Sequence, residues 1–207
     1  MINVLIVEDQ LLIREILEKY VMEDKNCRIS ASIANAGLAE TVCRQSQIDL
    51  VLMDVCTQGG ESGFDATKKI KAVSPGTKVI IITGMLDCTY IDRAREAGAE
   101  SLWFKDTGGS EMMEIIHRTL QGESVFPDKT PEVVVGDITS YEFTKAELKV
   151  LRLLVEGLTY KEMSDKLGVS VDTVKAHVSS MLSKTGFASK TKLAAVAAGS
   201  RLIVNDY

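Results

Sequence analysis

Three carboxylates, one threonine and one lysine close four short apolar runs within the first 105 residues of the chain. Glu8 and Asp9 follow VLIV, Asp54 follows LVLM, Thr83 follows KVIII and Lys105 follows SLWF. Short apolar, β-rich runs bounded by polar residues read as buried parallel strands. Strands laid side by side bring their carboxyl ends, and therefore these five side chains, toward one place. Clustered carboxylates repel and raise one another's pKa. A hard dication such as Mg²⁺ relieves that repulsion, binding through a few carboxylates, water and phosphate oxygens. A neighbouring ammonium and hydroxyl suit the remaining phosphoryl oxygens, so the set points to in-line phosphoryl transfer onto a carboxylate. One Asp at a strand end is normally just a polar terminus. Five such residues at four strand ends call for a shared site.

The elements that must position them alternate. Strands are expected near 2–7, 28–33, 49–54, 77–83 and 101–104, with helices near 10–24, 36–47, 63–73, 86–97 and 109–121. Leu11, Leu12, Ile16, Leu17, Tyr20 and Val21 give the first helix an apolar face, and Gly98 stops the fourth. Such alternation predicts an α/β fold with a parallel sheet covered on both sides. In the flavodoxin-like order 2-1-3-4-5, the first and third strands are neighbours, and Glu8, Asp9 and Asp54 share one crevice. This domain is expected over 1–122. Residues 123–142, punctuated by Pro127, Pro131 and Gly136, read as a linker with a short extended run at Val133–Val135.

An all-α domain of four helices is expected over 143–207, with helices near 144–156, 159–166, 170–184 and 189–199. Thr144 with Glu147, and Thr159 with Glu162, fit the capping box, and Ser170 fits an N-cap. Helix 159–166, a tight connection through Gly168 and helix 170–184 have helix-turn-helix spacing. Val171, Val174, Val178 and Leu182 form the expected inward stripe of the second helix. Lys175, Ala176, Ser179, Ser180 and Ser183 face outward, short groups and one cation suited to close approach in a major groove. Lys161, Lys175, Lys184, Lys190 and Lys192 are placed to approach phosphates, which supply affinity rather than sequence choice.

Composition narrows the alternatives. The chain has 207 residues, 45% hydrophobic and 26% charged, as in ordinary globular proteins. No apolar run approaches the roughly 20 residues of a membrane span, and the chain opens directly on a strand rather than a signal segment. Cys27, Cys43, Cys56 and Cys88 show no metal-binding spacing and read as free thiols of a reducing cytoplasm. Two histidines, His117 and His177, argue against zinc or Ser-His-Asp chemistry. Residues 141–207 carry 10 Lys and Arg against 7 Asp and Glu, a balance of +3 within a net charge of −5, so residues 1–140 stand at −8. The two parts should therefore meet different partners.

Glu8-Asp9, Asp54, Thr83-Gly84 and Lys105-Asp106 resemble the receiver domain of bacterial two-component response regulators. The resemblance implies that Asp54 accepts the phosphoryl group from a phosphohistidine of a sensor histidine kinase. Mg²⁺ would sit on Glu8, Asp9, Asp54 and the backbone carbonyl of Cys56. Thr83 and Lys105 would engage the phosphoryl group, and Leu102 occupies the switch position, where the family usually has an aromatic. The loop after Asp54, VCTQGGESG, lacks the family's Pro, and Gly63 lies nine positions on rather than eight. Asp106 stands where a Pro is common. Cys56 and Met85 occupy the positions that steer attacking water, which implies slow autodephosphorylation. Over 143–200, Phe143-Thr144, Glu147, Gly157, Lys161-Glu162, Thr173-Val174-Lys175, His177-Val178, Lys184 and Gly186 resemble the LuxR-type DNA-binding domain. By that resemblance Lys161, Thr173, Lys175, Ala176, Ser179 and Lys184 contact DNA, and the last helix helps dimerisation. The implied protein is a cytoplasmic transcription regulator of the NarL/LuxR type. It is not an enzyme beyond its own phosphorylation and dephosphorylation. Its expected partners are the kinase, promoter DNA, a second copy and RNA polymerase. Two other readings are a phosphorylation-independent DNA-binding factor with a vestigial receiver, and an aspartyl-phosphate hydrolase. The hydrolase needs a second carboxylate where Cys56 stands.

Overall fold

The five expected strands form one parallel sheet in the computed structural model, which describes residues 1–84, 87, 89–105, 109–128, 132–200, 202 and 203. Its strands are β1 (Ile2–Val7), β2 (Cys27–Ile33), β3 (Leu50–Asp54), β4 (Lys78–Thr83) and β5 (Ser101–Phe104), in the order β2-β1-β3-β4-β5. Residues alternate between the two sides of the sheet. On one side Val4, Ile6, Leu50, Leu52, Ile80, Ile82 and Trp103 pack against Leu17 and Val21 of α1 (Leu11–Glu23) and Met112, Ile115 and Ile116 of α5 (Gly109–Leu120). The other side carries α2 (Ala39–Gln45), α3 (Gly63–Val73) and α4 (Tyr90–Ala97), with α3 on β3 and β4 and α4 on β5. The register sets Met53 beside Val7, Asp54 beside Ile82 and Phe104 beside Thr83, so the polar strand ends line up at one edge.

Two helices start later than the sequence suggests. Residues 36–38 form a 3-10 turn capped by Asn35, whose side chain accepts from the Gly37 amide, and only then does α2 begin. The helix expected over 86–97 is described from Tyr90; 86 and 88 lie outside the described residues and Thr89 is in a turn. Met85, Cys88, Asp106 and Pro131, each given a role or reading above, also lie outside the described residues.

Of the described residues, 1–84, 90–105 and 109–128 form one compact unit, and 87, 89, 132–200, 202 and 203 the other. The second unit contains α6 (Lys145–Val155), α7 (Tyr160–Leu167), α8 (Val171–Thr185) and α9 (Lys190–Gly199). Both expected capping boxes form, and Ser170 accepts from the Thr173 amide at 3.0 Å. Here the linker reading needs correction. β6 (Val134–Val135) and β7 (Ile138–Thr139) pair as an antiparallel ribbon, and Val135 and Ile138 join Phe143, Leu151, Met181 and Leu193 in the core. Gly136 makes the turn at φ 64, and a Cβ there would lie 2.1 Å from the Thr185 carbonyl oxygen. Residues 132–139 are thus part of the helical unit, which is not purely α.

Candidate functional site

The strand ends bring the acidic set together. One ligand oxygen each from Glu8, Asp9 and Asp54 lies within 4.8 Å of the others. Glu8 is fully buried, Asp54 is 4% exposed and Asp9 is half-buried. Glu8 is held at both oxygens, Oε1 accepting from the Gln10 amide at 3.0 Å and Oε2 from Lys105 Nζ at 2.5 Å. Lys105 Nζ also stands 2.9 Å from Asp54 Oδ1, so one ammonium bridges two carboxylates. Burial drives the Asp54 carboxyl up to about 7; Lys105 pulls it down and Glu8 pushes it up again. Burial also opposes charge on Lys105, but Asp54 and Glu8 outweigh it and hold the ammonium above its ordinary range. Thr83, 1% exposed, ends β4, and its carbonyl accepts from the Lys105 amide at 2.9 Å. Leu102 is fully buried in β5 and its amide donates to the Val125 carbonyl at 3.0 Å.

The loop between Asp54 and α3 absorbs the extra residue. Cys56, half-buried, pairs with Ser62 in an antiparallel bridge, and the Gly63 amide donates to the Val55 carbonyl at 2.9 Å. Ser62 then caps α3 through the Phe64 amide. Gly59 and Gly60 take φ of 96 and 76, conformations that L side chains rarely adopt. A Cβ on Gly63 would lie 2.1 Å from the Asp54 carbonyl oxygen, so the helix start presses directly on the Asp54 backbone. Thr57 Oγ1 accepts from the Ala36 amide at 2.9 Å, tying this loop to the one after β2.

In the second unit the helix-turn-helix closes as expected, with Gly168 in the left-handed conformation at the end of α7. Val174, Val178, Met181 and Thr185 are the buried stripe of α8, while Val171 and Leu182 are only half-buried. Thr173, Lys175, Ala176 and Ser179 are exposed on α8, and Lys161 is exposed on α7. Ser180 and Lys184 differ from their expected outward placement. Both turn to Glu147 of α6, Ser180 Oγ at 2.8 Å from Oε1 and Lys184 Nζ at 2.8 Å from Oε2. Burial pushes Glu147 upward, but Lys184, the Thr144 amide and Ser180 outweigh it and hold the carboxyl at about 2.

Residues 4–117 match the model of the response regulator receiver domain, and residues 142–197 match that of the bacterial regulatory proteins of the luxR family. The chain belongs to the response regulators of the LuxR type. It is similar to the response regulator protein VraR of Staphylococcus epidermidis, 30% identical over 199 residues, covering 92% of this chain and 93% of that one. A LuxR-family two-component response regulator from Aurantimonas sp. SI85-9A1 matches at a TM-score of 0.57 and 25% identity, covering 59% of this chain and 87% of that one. RcsB of Salmonella enterica serovar Typhimurium, solved on a promoter in the presence of a beryllofluoride phosphomimetic, matches at 0.64 and 17% identity. The shared portion is 97% of this chain and 98% of RcsB, and the likeness is one of fold.

Several features of this response regulator were not visible in its sequence. His117 places Nε2 2.7 Å from Asp24 Oδ2, linking α5 to the end of α1. Lys105 meets Glu8 across 97 positions of chain, and no local pattern announces such a pair. Cys27 and Cys43 are buried, which pushes each thiol to about 11 and removes it from nucleophilic chemistry at neutral pH. Among the described residues no helix is long and apolar enough to cross a membrane.

Proposed function

We propose that Asp54 accepts a phosphoryl group from a phosphohistidine of a sensor histidine kinase, and that this controls dimerisation and DNA binding by the helix-turn-helix. The reading is carried by the bridged set in the pocket, where Lys105 joins Glu8 and Asp54 beside Asp9. An Asp54 oxygen attacks phosphorus as the P–N bond to the imidazole breaks; the leaving nitrogen keeps the bonding pair and takes up a proton. Lys105 then follows the charge from the Asp54 carboxylate to a phosphoryl oxygen, and Thr83 offers its hydroxyl to another. The hard oxygen set fits Mg²⁺ on Glu8, Asp9, Asp54 and the Cys56 carbonyl, where it would neutralise charge on the transferring group. Leu102 transmits the change by apolar packing, since it has no hydroxyl. The exposed Leu11, Leu12 and Ile16 of α1, next in sequence to Glu8 and Asp9, give the donor protein an apolar landing surface.

The domains that divide this work are the receiver over 1–122, a connecting segment from 123, and the DNA-binding domain over 143–207, extended forward by the β6–β7 ribbon. Thr173, Lys175, Ala176 and Ser179 enter the major groove, with Lys161 and Lys184 toward the backbone. The protein works in the cytoplasm on promoter DNA, as a dimer and alongside RNA polymerase. Sedimentation and DNA binding at fixed salt, with Mg²⁺ and with or without beryllofluoride, test the reading. Wild-type chain should dimerise and bind more tightly with the mimic, and Asp54→Asn should not respond. An equal response from both would leave the vestigial-receiver reading in its place.

A further inference from the structure

The outward stripe of α8 runs Asp172, Lys175, Ala176, Ser179 and Ser183, each exposed and spaced at helical period. Asp172 is the one acid of this helix. Its side chain is 91% exposed, and Oδ1 lies 3.3 Å from Lys175 Nζ. The arrangement recurs on α7, where Lys161 Nζ lies 2.8 Å from Asp165 Oδ1 and both side chains are exposed. Two further lysines of the module are also held, Lys166 by Glu156 at 3.0 Å and Lys184 by Glu147 at 2.8 Å. A surface built only to grip DNA leaves its ammonium groups to the phosphates, because neutralised phosphates release counterions and supply sequence-independent affinity. Here Lys161, Lys175 and Lys184, three of the five lysines expected at phosphates, already have carboxylates, while Lys190 lies over the Tyr160 ring. An acid near a helix start also complements the helix dipole. That accounts for Asp172 as a stabilising residue, but not for its place on the stripe that meets DNA, nor for Asp165 in the second half of α7.

We propose that Asp172 and Asp165 are specificity-determining residues that compete with DNA phosphates for Lys175 and Lys161. On generic duplex the two carboxylates keep the lysines occupied and repel the backbone. On a cognate site Asp172 accepts a hydrogen bond from a base amino group, cytosine N4 being the fitting donor in the major groove, and frees Lys175 for the neighbouring edge. This rests on the DNA-reading assignment of α8 made above.

The test uses full-length protein with a duplex selected from a randomised pool and a scrambled duplex, titrated between about 50 and 200 mM salt. Wild type is compared with Asp172→Asn, Asp165→Asn, the double variant and Asp172→Glu, with thermal unfolding as a check on folding. The double variant should bind scrambled duplex about five- to tenfold more tightly, with a salt slope steeper by about 0.9 for each carboxylate removed. Its preference for the selected site should fall at least about threefold, because each lost base contact reduces discrimination. Asp172→Glu should keep most of the preference. Unchanged slope and preference in both single variants and the double would overturn the proposal while leaving DNA binding intact. No binding of any duplex by wild type, with or without beryllofluoride, would overturn the DNA-reading assignment and this inference together.

Discussion

Replacing Asp54 by Asn should stabilise the receiver unit, and the gain should depend on pH. Burial raises the Asp54 carboxyl from 3.8 to about 7. The folded state therefore holds this proton more tightly than the unfolded state does. The associated stability is fully present below pH 3.8, is lost as pH rises through about 7, and is gone above it. A rise of about three units at 1.36 kcal/mol each sets a ceiling of about 4 kcal/mol on the cost of the charged form. Asn keeps the shape and removes the charge, while Lys105 retains Glu8 as its partner. Asp54→Asn should thus be about 2–4 kcal/mol more stable than wild type at pH 8, an advantage that falls by more than half at about pH 5. Trp103, the single tryptophan, is buried in β5 and reports this unit alone, so urea titrations followed by its fluorescence measure the difference. Mg²⁺ should narrow the gap at pH 8, adding about 1.4 kcal/mol to wild type at ten times its Kd and much less to the variant. A variant no more stable than wild type at pH 8, or equally ahead from pH 5 to 8, would refute the reasoning.

Gly63→Ala sets a methyl group against the Asp54 carbonyl oxygen, 2.1 Å from the ideal Cβ, so the start of α3 must move away from Asp54. We expect a loss of about 1–3 kcal/mol in urea titrations, the usual cost of overpacking, together with slower phosphorylation by a small-molecule phosphodonor. Glu147→Ala removes the α6 capping box and the partner of Lys184 and Ser180 at once. The Glu147 carboxyl at about 2 against 4.5 corresponds to about 3 kcal/mol at neutral pH as an upper figure. That stability is present above pH 4.5 and is lost as pH falls through about 2, so acid titration of the helical signal should lose this component in the variant.

The parts of this protein that could be read from sequence are those in which a local pattern has one structural solution. A strand buried on both faces must be apolar throughout, so β1, β3 and β4 announced themselves, and with them the polar ends that make the pocket. A hydroxyl three residues before Glu marked the starts of α6 and α7. The β6–β7 ribbon was misread as linker because two residues a side is too short a period to register, although Gly136-Asp137 between two β-branched pairs was the available signal. The extra residue after Asp54 was legible as a shift of Gly63 to the ninth position, but not the Cys56–Ser62 bridge that brings Gly63 back against the Asp54 backbone. Least legible were the partners of the cations. Lys105 lies on Glu8 and Asp54, Lys184 on Glu147 and Lys175 on Asp172, each a lysine expected at a phosphate. A side-chain inventory counts these lysines as available, whereas the fold gives each an acid that a phosphate must displace. If Asp54 is the phosphoacceptor, as proposed, the displacing group in the pocket arrives covalently on Asp54 and turns the partner itself into the phosphate. On the proposal for α8 it arrives as DNA, and only a sequence that also satisfies the displaced carboxylate completes the exchange. Under these two proposals selectivity in both units would reside in the acids that hold the lysines as much as in the lysines themselves.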